Sequence, residues 1–511
     1  MANYPIADSG AGLILQSAGW PLHPSISGDY HGETLRHLKA QHYYFSTQGR
    51  SDCVAASIIV PMHETQGSML RYLCKCPQKA HKRLYSQLPR IKFSELIDRD
   101  ADVLRNAQER GVVGLNMPLL KELWQERKIL SQQLNRLNSE RKRCNPELGA
   151  ALREEARKTE TDLQRIEESL NDEGSKIPNW SSEQSPLGAE NVVIRQSRSE
   201  MIHDNDNIVR VDHMNMPIIK DLVDFEAGTC IVGAHFPVLK GLAAALELAL
   251  VQWSIHRAMQ RGFQLLSMPD LVKIGHIHGS GFQPRQSGGS LPIFTVQAAG
   301  ENAPAELALA GTSEVGMAGM LADQIVAASD LPLKFVAWNH CFRSEVGHHT
   351  AASRGLYRLH QFTKVELFGV MDADHAALGF EEIAALQAAL LDELQLPYRV
   401  LEMSRRELGA SAYRKWDHEV WMPGRGIWGE VMSTSLCTDY QTQRLNIRTR
   451  SKSGDLAFPH TLNGTACAVP RMIMALLEWG WDASRPDQLT LPEALRPFLL
   501  LPATGIHVRF R

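Results

Sequence analysis

No stretch of this 511-residue chain is long and apolar enough to be a membrane span, because its hydrophobic runs are short and broken by Gly, Pro or charge. Cysteine is sparse: the eight residues, at positions 53, 74, 76, 144, 230, 341, 437 and 467, are too scattered for a disulfide scaffold or a zinc pattern. Cys74 and Cys76 are one residue apart, closer than the usual spacing of a metal knuckle. All eight read as free thiols of a reducing compartment, and no zinc is expected. An excess of one charge is lacking too. With 54 Lys and Arg against 57 Asp and Glu the net charge is -3, so any contact with nucleic acid has to come from a local basic patch. A GxxxxGK[ST] loop and a GxGxxG turn after a strand are both absent, which argues against P-loop and Rossmann nucleotide binding.

What is present is a globular composition, 44% hydrophobic and 22% charged, in a chain long enough for two or three domains. Residues 1–68 are weakly patterned. From Met69 the text MLRYLCKCPQKAHKRLYSQLPRIKF carries Arg71, Lys75, Lys79, Lys82, Arg83, Arg90 and Lys92 with no acid. Basic, acid-free and partly apolar is the composition of a mitochondrial presequence, placed here at 69–93. A basic tail without that role is the plainer alternative. If targeting holds, either translation begins at Met69 or residues 1–68 are an isoform extension.

From Pro118 to Asn171 the chain turns charged and helical. Leu123, Leu130, Leu134 and Leu137 form one apolar ladder, and Leu152, Leu163, Ile166 and Leu170 a second, at spacings that place each on one helix face. Cys144-Asn145-Pro146 separates them, where the proline disfavours helix before it and can begin the next one. The pattern predicts a hairpin roughly 40 Å long at 1.5 Å rise per residue. Its first helix carries Lys121, Arg127, Lys128, Arg136, Arg141, Lys142 and Arg143. Such a rod suits a phosphate backbone; it equally suits the solvated face of a coiled coil, because the second helix answers with many Glu residues.

A Ser-, Pro- and Asn-containing linker, Gly174 to Gly188, leads to a large region of mixed patterning. Strands are expected at Leu333–Ala337, Thr363–Val370, Gly429–Ser433 and Leu445–Thr449. Helices are expected at Val238–Met259, Glu314–Ala327, Ala373–Glu393 and Val469–Glu478. Strands this numerous, joined by varied segments, favour a mixed or antiparallel sheet over βαβ repeats.

Three clusters carry potential chemistry. In Cys341-Phe342-Arg343-Ser344-Glu345, Arg343 and Glu345 are two apart on a strand and point to the same face. Across a loop, Arg358, Phe362 and Glu366 recur every four residues and share a face on a returning strand. A surface ion-pair ladder accounts for the charges but not for Phe362 among them. Guanidinium forks suit phosphates and an aromatic plane suits a purine. Glu430 and Ser433 offer the oxygen ligands that Mg²⁺ prefers. In Asn463-Gly464-Thr465-Ala466, leading to Arg471 on a helix, small residues permit close packing.

In order and wording these blocks resemble the three signature motifs of the class II aminoacyl-tRNA synthetases, and specifically the seryl family. The first motif resembles the stretch ending in Gly262 to Pro269, with Pro269 as the signature proline of the dimer interface. The second resembles Cys341 to Phe368, with the text FRSE…RGLYRLHQFTKVE. The third resembles Leu462 to Arg471. TSE at Thr312–Glu314 and EVMSTSLCTDYQTQR at Glu430–Arg444 are wordings of the seryl branch, and Ile177-Pro178-Asn179 with Pro186 and Gly188 resembles its junction between hairpin and core. The likeness covers roughly residues 95–485, and RGLYRLHQFTKVELFGV with ALLE leans toward the mitochondrial form.

The resemblance implies an α+β class II synthetase core, a mixed and mainly antiparallel sheet flanked by helices, preceded by a long antiparallel coiled-coil hairpin. It divides the chain into an extension (1–93), a helical tRNA-binding arm (94–185, hairpin 118–172) and a catalytic domain (186–511). The implied activity is that of a serine–tRNA ligase, a homodimer of the mitochondrial matrix acting on L-serine, ATP, Mg²⁺ and tRNA(Ser). Arg343 would bind the α-phosphate and the serine carboxylate. Arg358 and Arg471 would grip the outer phosphates, Glu345 would belong to both substrate sites, and Phe362 would stack on adenine. Glu430 and Ser433 would hold Mg²⁺. Thr312, Glu314, Glu345, Glu366, Asn463 and Thr465 would line the serine pocket, with Arg343, Glu430 and Arg471 as the catalytic set.

Three departures are visible. Val346 stands where alanine is commoner, a packing change. Gln443 stands where the family usually has an arginine. His348-His349 falls in the second-motif loop, where largely neutral imidazoles make a poor phosphate clamp. The rival readings are a catalytically silent synthetase-like protein that binds RNA or serves structure, a coiled-coil interaction protein, and a ligase for another amino acid.

Overall fold

The computed structural model describes residues 89–143, 146–203, 209–282, 292–297, 306–345, 354–451, 453–501 and 505–511. All of these belong to one compact unit, Lys82–Arg511. Residues 1–88, which hold nearly all of the expected presequence, and His348-His349 lie outside the described residues. No helix among the described residues is long and apolar enough to cross a membrane.

Two short helices, α1 (Phe93–Asp98) and α2 (Asp100–Glu109), precede two long ones, α3 (Met117–Arg141) and α4 (Pro146–Ser175). Asn116 starts α3: its side chain accepts the Leu119 N–H at 3.0 Å, satisfying one of the donors a helix start leaves open. The leucine ladders turn inward. Leu123, Leu137, Ile166 and Leu170 are buried, and Leu130 packs against the same cluster as Leu123, Ile166 and Leu170. Arg127 of α3 reaches Glu167 of α4 at 3.0 Å, so part of the basic face is answered across the pair. Lys128, Lys142 and Arg143 remain exposed.

The segment after α4 is pinned rather than free. Asn179 donates its side-chain amide to the carbonyls of Ser411 and Cys437, each at 2.8 Å, and Arg110 donates to the Asn179 and Ala412 carbonyls. Gly111, at φ +69°, ends the preceding helix in a conformation that favours glycine.

An eight-stranded sheet forms the centre. Its strands are β1 (Val192–Ser197), β2 (Gln264–Ser267), β3 (Leu333–Phe342), β4 (Gln361–Met371), β5 (Tyr398–Glu402), β6 (Arg414–Met422), β7 (Ile427–Thr438) and β8 (His460–Ala468). Across the sheet the order is β1-β5-β6-β7-β8-β4-β3-β2. Only β2 with β3 is parallel; the other pairs are antiparallel. This is the mainly antiparallel sheet expected of a class II core. The helices α5 (Gly241–Gln260), α7 (Ala376–Glu393) and α9 (Val469–Gly480) back one face, while α6 (Ser313–Met320) packs on the other side against β3 and β4. Val336, Val365, Leu367 and Leu462 of the backed face join Trp253, Phe380, Met472 and Leu476 in the main core. Each such side chain contributes about 1.5–3 kcal/mol on burial.

The strands run longer than expected, and two expectations fail. The helix that starts at Ser313 stops at Met320 instead of continuing to Ala327: Asp323 adopts φ +60° and donates its N–H to the Leu445 carbonyl at 2.9 Å. Ile325–Ala327 is then a strand, pairing in parallel with Arg448–Arg450 in a separate small sheet. Leu445–Thr449 therefore yields a strand only from Arg448, because the helix α8 (Tyr440–Arg444) and its cap occupy the residues before it. His507–Phe510 pairs in parallel with Gln488–Leu491, so the C-terminal tail caps the fold behind α9.

Candidate active site

The face of the sheet opposite the main core carries the charged residues. Phe362, Lys364 and Glu366 alternate along β4 and face one way, beside Cys341, Asn339 and Ala337 of β3. Thr465 of β8 sits opposite Glu366, a placement that depends on a bulge between Val365 and Glu366.

A second bulge resolves a puzzle of spacing. Glu430 and Ser433 are three apart on β7, which should put them on opposite faces. Their partners on β6 are Glu419 and Asp417, two apart, so the odd residue, Val431, is absorbed by the bulge. Glu430 and Ser433 accordingly share a face and stay partly open, while Val431 and Met432 are buried. A carboxylate and a hydroxyl on one open face are hard oxygen ligands and fit the metal that accompanies a nucleotide. Burial raises carboxyl pKa values, yet Lys415, Arg471 and Arg343 hold Glu430 well below the ordinary range; burial pushes the neighbouring Asp417 up.

The arginines are not all where strand periodicity put them. β3 ends at Phe342 and β4 begins at Gln361, so Arg343, Glu345 and Arg358 lie in the connecting loop. The loop still brings them in. Glu345 takes a left-handed backbone, φ +47°, and its carboxylate meets Arg358 Nη1 at 2.6 Å. Strain of this kind, about 1–3 kcal/mol for a non-glycine residue, persists where the surroundings impose it. The Arg343 guanidinium lies 5.4 Å from the Phe362 ring centre and 5.8 Å from that of Phe282, and its Nε donates to the Gly311 carbonyl at 3.3 Å. A Cβ on Gly311 would stand 2.9 Å from the Phe282 ring, so only glycine lets that ring close over the arginine.

Arg471, at the start of α9, donates Nε to the Tyr357 carbonyl at 3.0 Å and Nη1 to Glu430 Oε2 at 3.2 Å, with its guanidinium 4.4 Å from the Tyr357 ring centre. Burial works against its charge, but Glu430, Tyr357 and Glu345 raise its pKa further above an already high value. Arg343 and Arg471 both act on Glu430, and Glu345, the partner of Arg358, also acts on Arg471, so the three arginines are grouped around the same carboxylates. Arg358 Nε and Ser344 Oγ are buried there without a hydrogen-bond partner, an arrangement that costs about 1–3 kcal/mol per atom and fits a site that an anion completes.

The acidic end lies alongside. Glu314 Oε1 accepts from Gln441 Nε2 at 2.6 Å and Asn463 Nδ2 at 2.8 Å. Burial, and then the nearby Glu366, push its carboxyl up to about 7. Lys364 Nζ reaches Glu366 Oε2 at 2.6 Å and Thr312 Oγ1 at 2.8 Å, and Thr465 Oγ1 donates to the same Glu366 oxygen at 3.1 Å. Of the residues expected at the serine pocket, Glu314 with Asn463 and Glu366 with Thr312 and Thr465 gather in two networks linked through Thr312, whereas Glu345 pairs with Arg358 and Arg343 bonds to Gly311.

The model of the tRNA synthetase class II core domain (G, H, P, S and T) matches residues 294–479. The serine–tRNA ligase of Rubrobacter xylanophilus is 39% identical over 416 residues, which cover 78% of this chain and 95% of that protein. The chain belongs to the serine–tRNA ligase family. The family's enzyme from Rhodopirellula baltica is 36% identical, over 78% of this chain and 95% of its own length. Among solved structures, the seryl-tRNA synthetase of Pyrococcus horikoshii complexed with ATP superposes with a TM-score of 0.65 at 27% identity, covering 79% of this chain and 97% of that one. The cytoplasmic enzyme of Naegleria fowleri, solved with AMP, shares the fold with a TM-score of 0.61 at 24% identity, over 78% of this chain and 93% of its own.

The geometry adds members to the family site that the sequence reading passed over. Lys364 and Gln441 are buried polar members of these networks, and Asn339, opposite Lys364 on β3, is buried with its Oδ1 accepting from Ser313 Oγ at 2.6 Å. The visible signal for Lys364 was its alternation with Phe362 and Glu366. Cys341, Cys437 and Cys467 are buried free thiols, and burial pushes Cys341 up to about 11, which keeps it protonated and inert. Among the described residues one group could gather around a metal, Asp212, His213 and Glu478, but N–H donors and Arg425 already occupy its oxygens.

Proposed function

We infer that this chain is a serine–tRNA ligase that condenses L-serine with ATP to seryl-adenylate and pyrophosphate, then transfers the seryl group to tRNA(Ser). The observation that carries this is the convergence of three arginines, an aromatic ring and two carboxylate networks on one side of a class II sheet. In this reading Arg343 lies between the substrates, holding the serine carboxylate against the α-phosphate, and Phe362 stacks on adenine. Arg358 and Arg471 fold the outer phosphates back, with Glu345 aiming Arg358. Glu430 and Ser433 would hold Mg²⁺, which neutralises charge on the phosphates.

The serine carboxylate attacks the α-phosphorus, and the bond to the departing pyrophosphate breaks in line. A terminal ribose hydroxyl of the tRNA then attacks the adenylate carbonyl, and AMP leaves. The protein needs no nucleophile of its own; orientation and cations placed where negative charge grows supply the rate.

Selection follows from the pocket. Glu314 and Glu366 face the ammonium and hydroxyl ends of serine, with Thr312 behind them. Alanine would leave a buried carboxylate without its hydroxyl partner, a loss of the kind that hydrogen-bonding sites punish most. Thr465 and Asn463 form the wall that excludes the extra methyl of threonine.

The finer assignments belong to the same reading. The pair α3 and α4 is proposed as a coiled-coil arm for tRNA(Ser), supported by its inward leucines and its exposed Lys128, Lys142 and Arg143. A homodimer is proposed through β2 and Pro269, supported by an edge strand whose Leu265 is 43% exposed, beside Trp338 at 41%. Mitochondrial targeting, and with it the mitochondrial type, is proposed from the basic, acid-free text after Met69. Phe93 is a core residue, so a removable segment would end before it.

ATP–pyrophosphate exchange measured with each of the twenty amino acids tests the assignment. Exchange that depends on serine, with alanine and threonine at least about a hundredfold weaker in kcat/KM, is expected. No exchange would favour the silent synthetase-like protein, and exchange with another amino acid would favour a different ligase.

A further inference from the structure

The turn Gly355–Tyr357, just before Arg358, is held from below by a residue some 140 positions earlier in the chain. His213 is fully buried, and its Nε2 accepts the Leu356 N–H at 3.2 Å. That bond needs a lone pair on Nε2, which puts the ring proton on Nδ1. Nδ1 lies 3.1 Å from Asp212 Oδ1 and 3.2 Å from Glu478 Oε1. Glu478, itself fully buried, also accepts the Gly424 N–H at 2.9 Å, and Asp212 pairs with Arg425 at 3.3 Å. Gly355 adopts φ +69°, and a Cβ there would stand 2.3 Å from His213 Nε2, so the turn presses directly on the imidazole.

From the other side the same turn holds Arg471, through the Tyr357 carbonyl at 3.0 Å and the Tyr357 ring. Arg471 and Glu478 are seven residues apart on α9, two turns along one face. The contacts close a ring: α9 to Glu478, Glu478 to His213, His213 to Leu356, Tyr357 to Arg471, and back to α9. A buried imidazole with two carboxylates and an arginine is a costly way to fill a core, since apolar residues of the same volume are often as stable. Two of its members meet one turn instead: His213 through the Leu356 N–H, and Arg425 through its guanidinium, 5.8 Å from the Tyr357 ring centre.

We propose that His213 is a positioning residue for ATP, setting Arg358 and Arg471 through the turn Gly355–Tyr357. This rests on the reading that those two arginines bind the ATP phosphates. Burial lowers the His213 pKa but the carboxylates of Asp212 and Glu478 raise it more; the Leu356 N–H nevertheless needs an unprotonated Nε2, so the turn is held by the neutral ring and released by a second ring proton.

Two substitutions separate the two ring nitrogens. In His213→Gln the side-chain oxygen reaches the Nε2 position and can still accept from Leu356. In His213→Asn the amide ends at the Nδ1 level and leaves the Leu356 N–H without a partner. In ATP–pyrophosphate exchange with the full chain, His213→Asn is expected to raise the ATP KM about tenfold or more while the serine KM stays within about twofold. His213→Gln should stay within about threefold of the unaltered chain for ATP, and thermal unfolding confirms that each variant is folded.

Arg471→Ala in the same assay tests the reading beneath. If it raises the ATP KM and folded His213→Asn does not, the positioning role is overturned and the arginine reading stands. If Arg471→Ala leaves the ATP KM unchanged, both fall. Equal rises in the ATP and serine KM, or no rescue by His213→Gln, would reduce His213 to packing and overturn the proposal. Should His213→Asn not fold, Asp212→Asn keeps the imidazole but loosens Arg425 and Tyr357; an ATP KM within about twofold of the unaltered chain then overturns it, and a selective rise of about threefold or more supports it.

Discussion

Lys364 and Glu366, two residues apart on β4, form an ion pair at 2.6 Å with side chains only 8% and 3% exposed. Glu366 Oε2 accepts from both Lys364 and Thr465, so the lysine fixes which carboxylate oxygen is left for substrate. Replacing Lys364 with Met leaves a buried carboxylate uncompensated, a loss of about 3–5 kcal/mol. Thermal unfolding of Lys364→Met should show a large drop in Tm. Lys364→Met with Glu366→Gln should recover most of it while serine activation stays lost. A double variant no more stable than the single one would show that the two residues do not act as a pair.

Glu314 leads to a prediction on pH. Its folded value of about 7 lies above the ordinary 4.5, so the folded chain binds this proton more tightly than the unfolded one. Its contribution to stability therefore grows as pH falls from about 7 toward 4.5, and is lost as pH rises through about 7. Binding of the serine ammonium runs the other way, since it needs the carboxylate. The serine KM should rise below pH 7, toward about tenfold per unit, and Glu314→Gln should have a high, flat profile. A serine KM constant from pH 6 to 8 in the unaltered chain would contradict this placement of Glu314.

Metal dependence follows from the bulge at Val431. Glu430→Gln keeps the shape of the strand and removes the charge, so the Mg²⁺ concentration for half-maximal exchange should rise about tenfold or more. Because no zinc is expected, treatment with a chelator followed by Mg²⁺ alone should restore full exchange. Persistent loss that only zinc reverses would contradict the donor assignment.

The proposed arm should separate the two half-reactions. Arg127 and Glu167 mark the register of α3 against α4. Replacing residues 131–163 with a short Gly/Ser turn preserves that pair and the buried Leu120, Leu123, Ile166 and Leu170 below it. The shortened chain should keep serine-dependent exchange within about threefold and lose charging of tRNA(Ser) by at least about a hundredfold. Unimpaired charging would remove the arm from tRNA recognition.

Much of this architecture can be read before any coordinates. β-branched and aromatic runs mark β3, β4 and β7, the apolar face of Val469–Gly480 marks α9, and the site residues sit in wording that a family shares. What cannot be read is where geometry departs from periodicity. The bulge at Val431 puts Glu430 and Ser433 together against the strand rule, and Arg343, Glu345 and Arg358 meet from loop residues that alternation assigns to strands. Asp323 ends a helix that composition would extend, because a left-handed residue can bond to Leu445, far along the chain. His213 is hidden for the same reason: the partners that define it, Leu356 and Glu478, are distant in sequence and silent about one another.

Serine-dependent ATP–pyrophosphate exchange by Arg343→Ala tests the account most directly. Arg343 is the one group proposed to touch both the serine carboxylate and the α-phosphate, and it packs between Phe282 and Phe362 without being needed by the core. A folded variant should lose exchange by at least about a thousandfold, with the loss mainly in kcat. Exchange at the rate of the unaltered chain would contradict the placement of the two substrates.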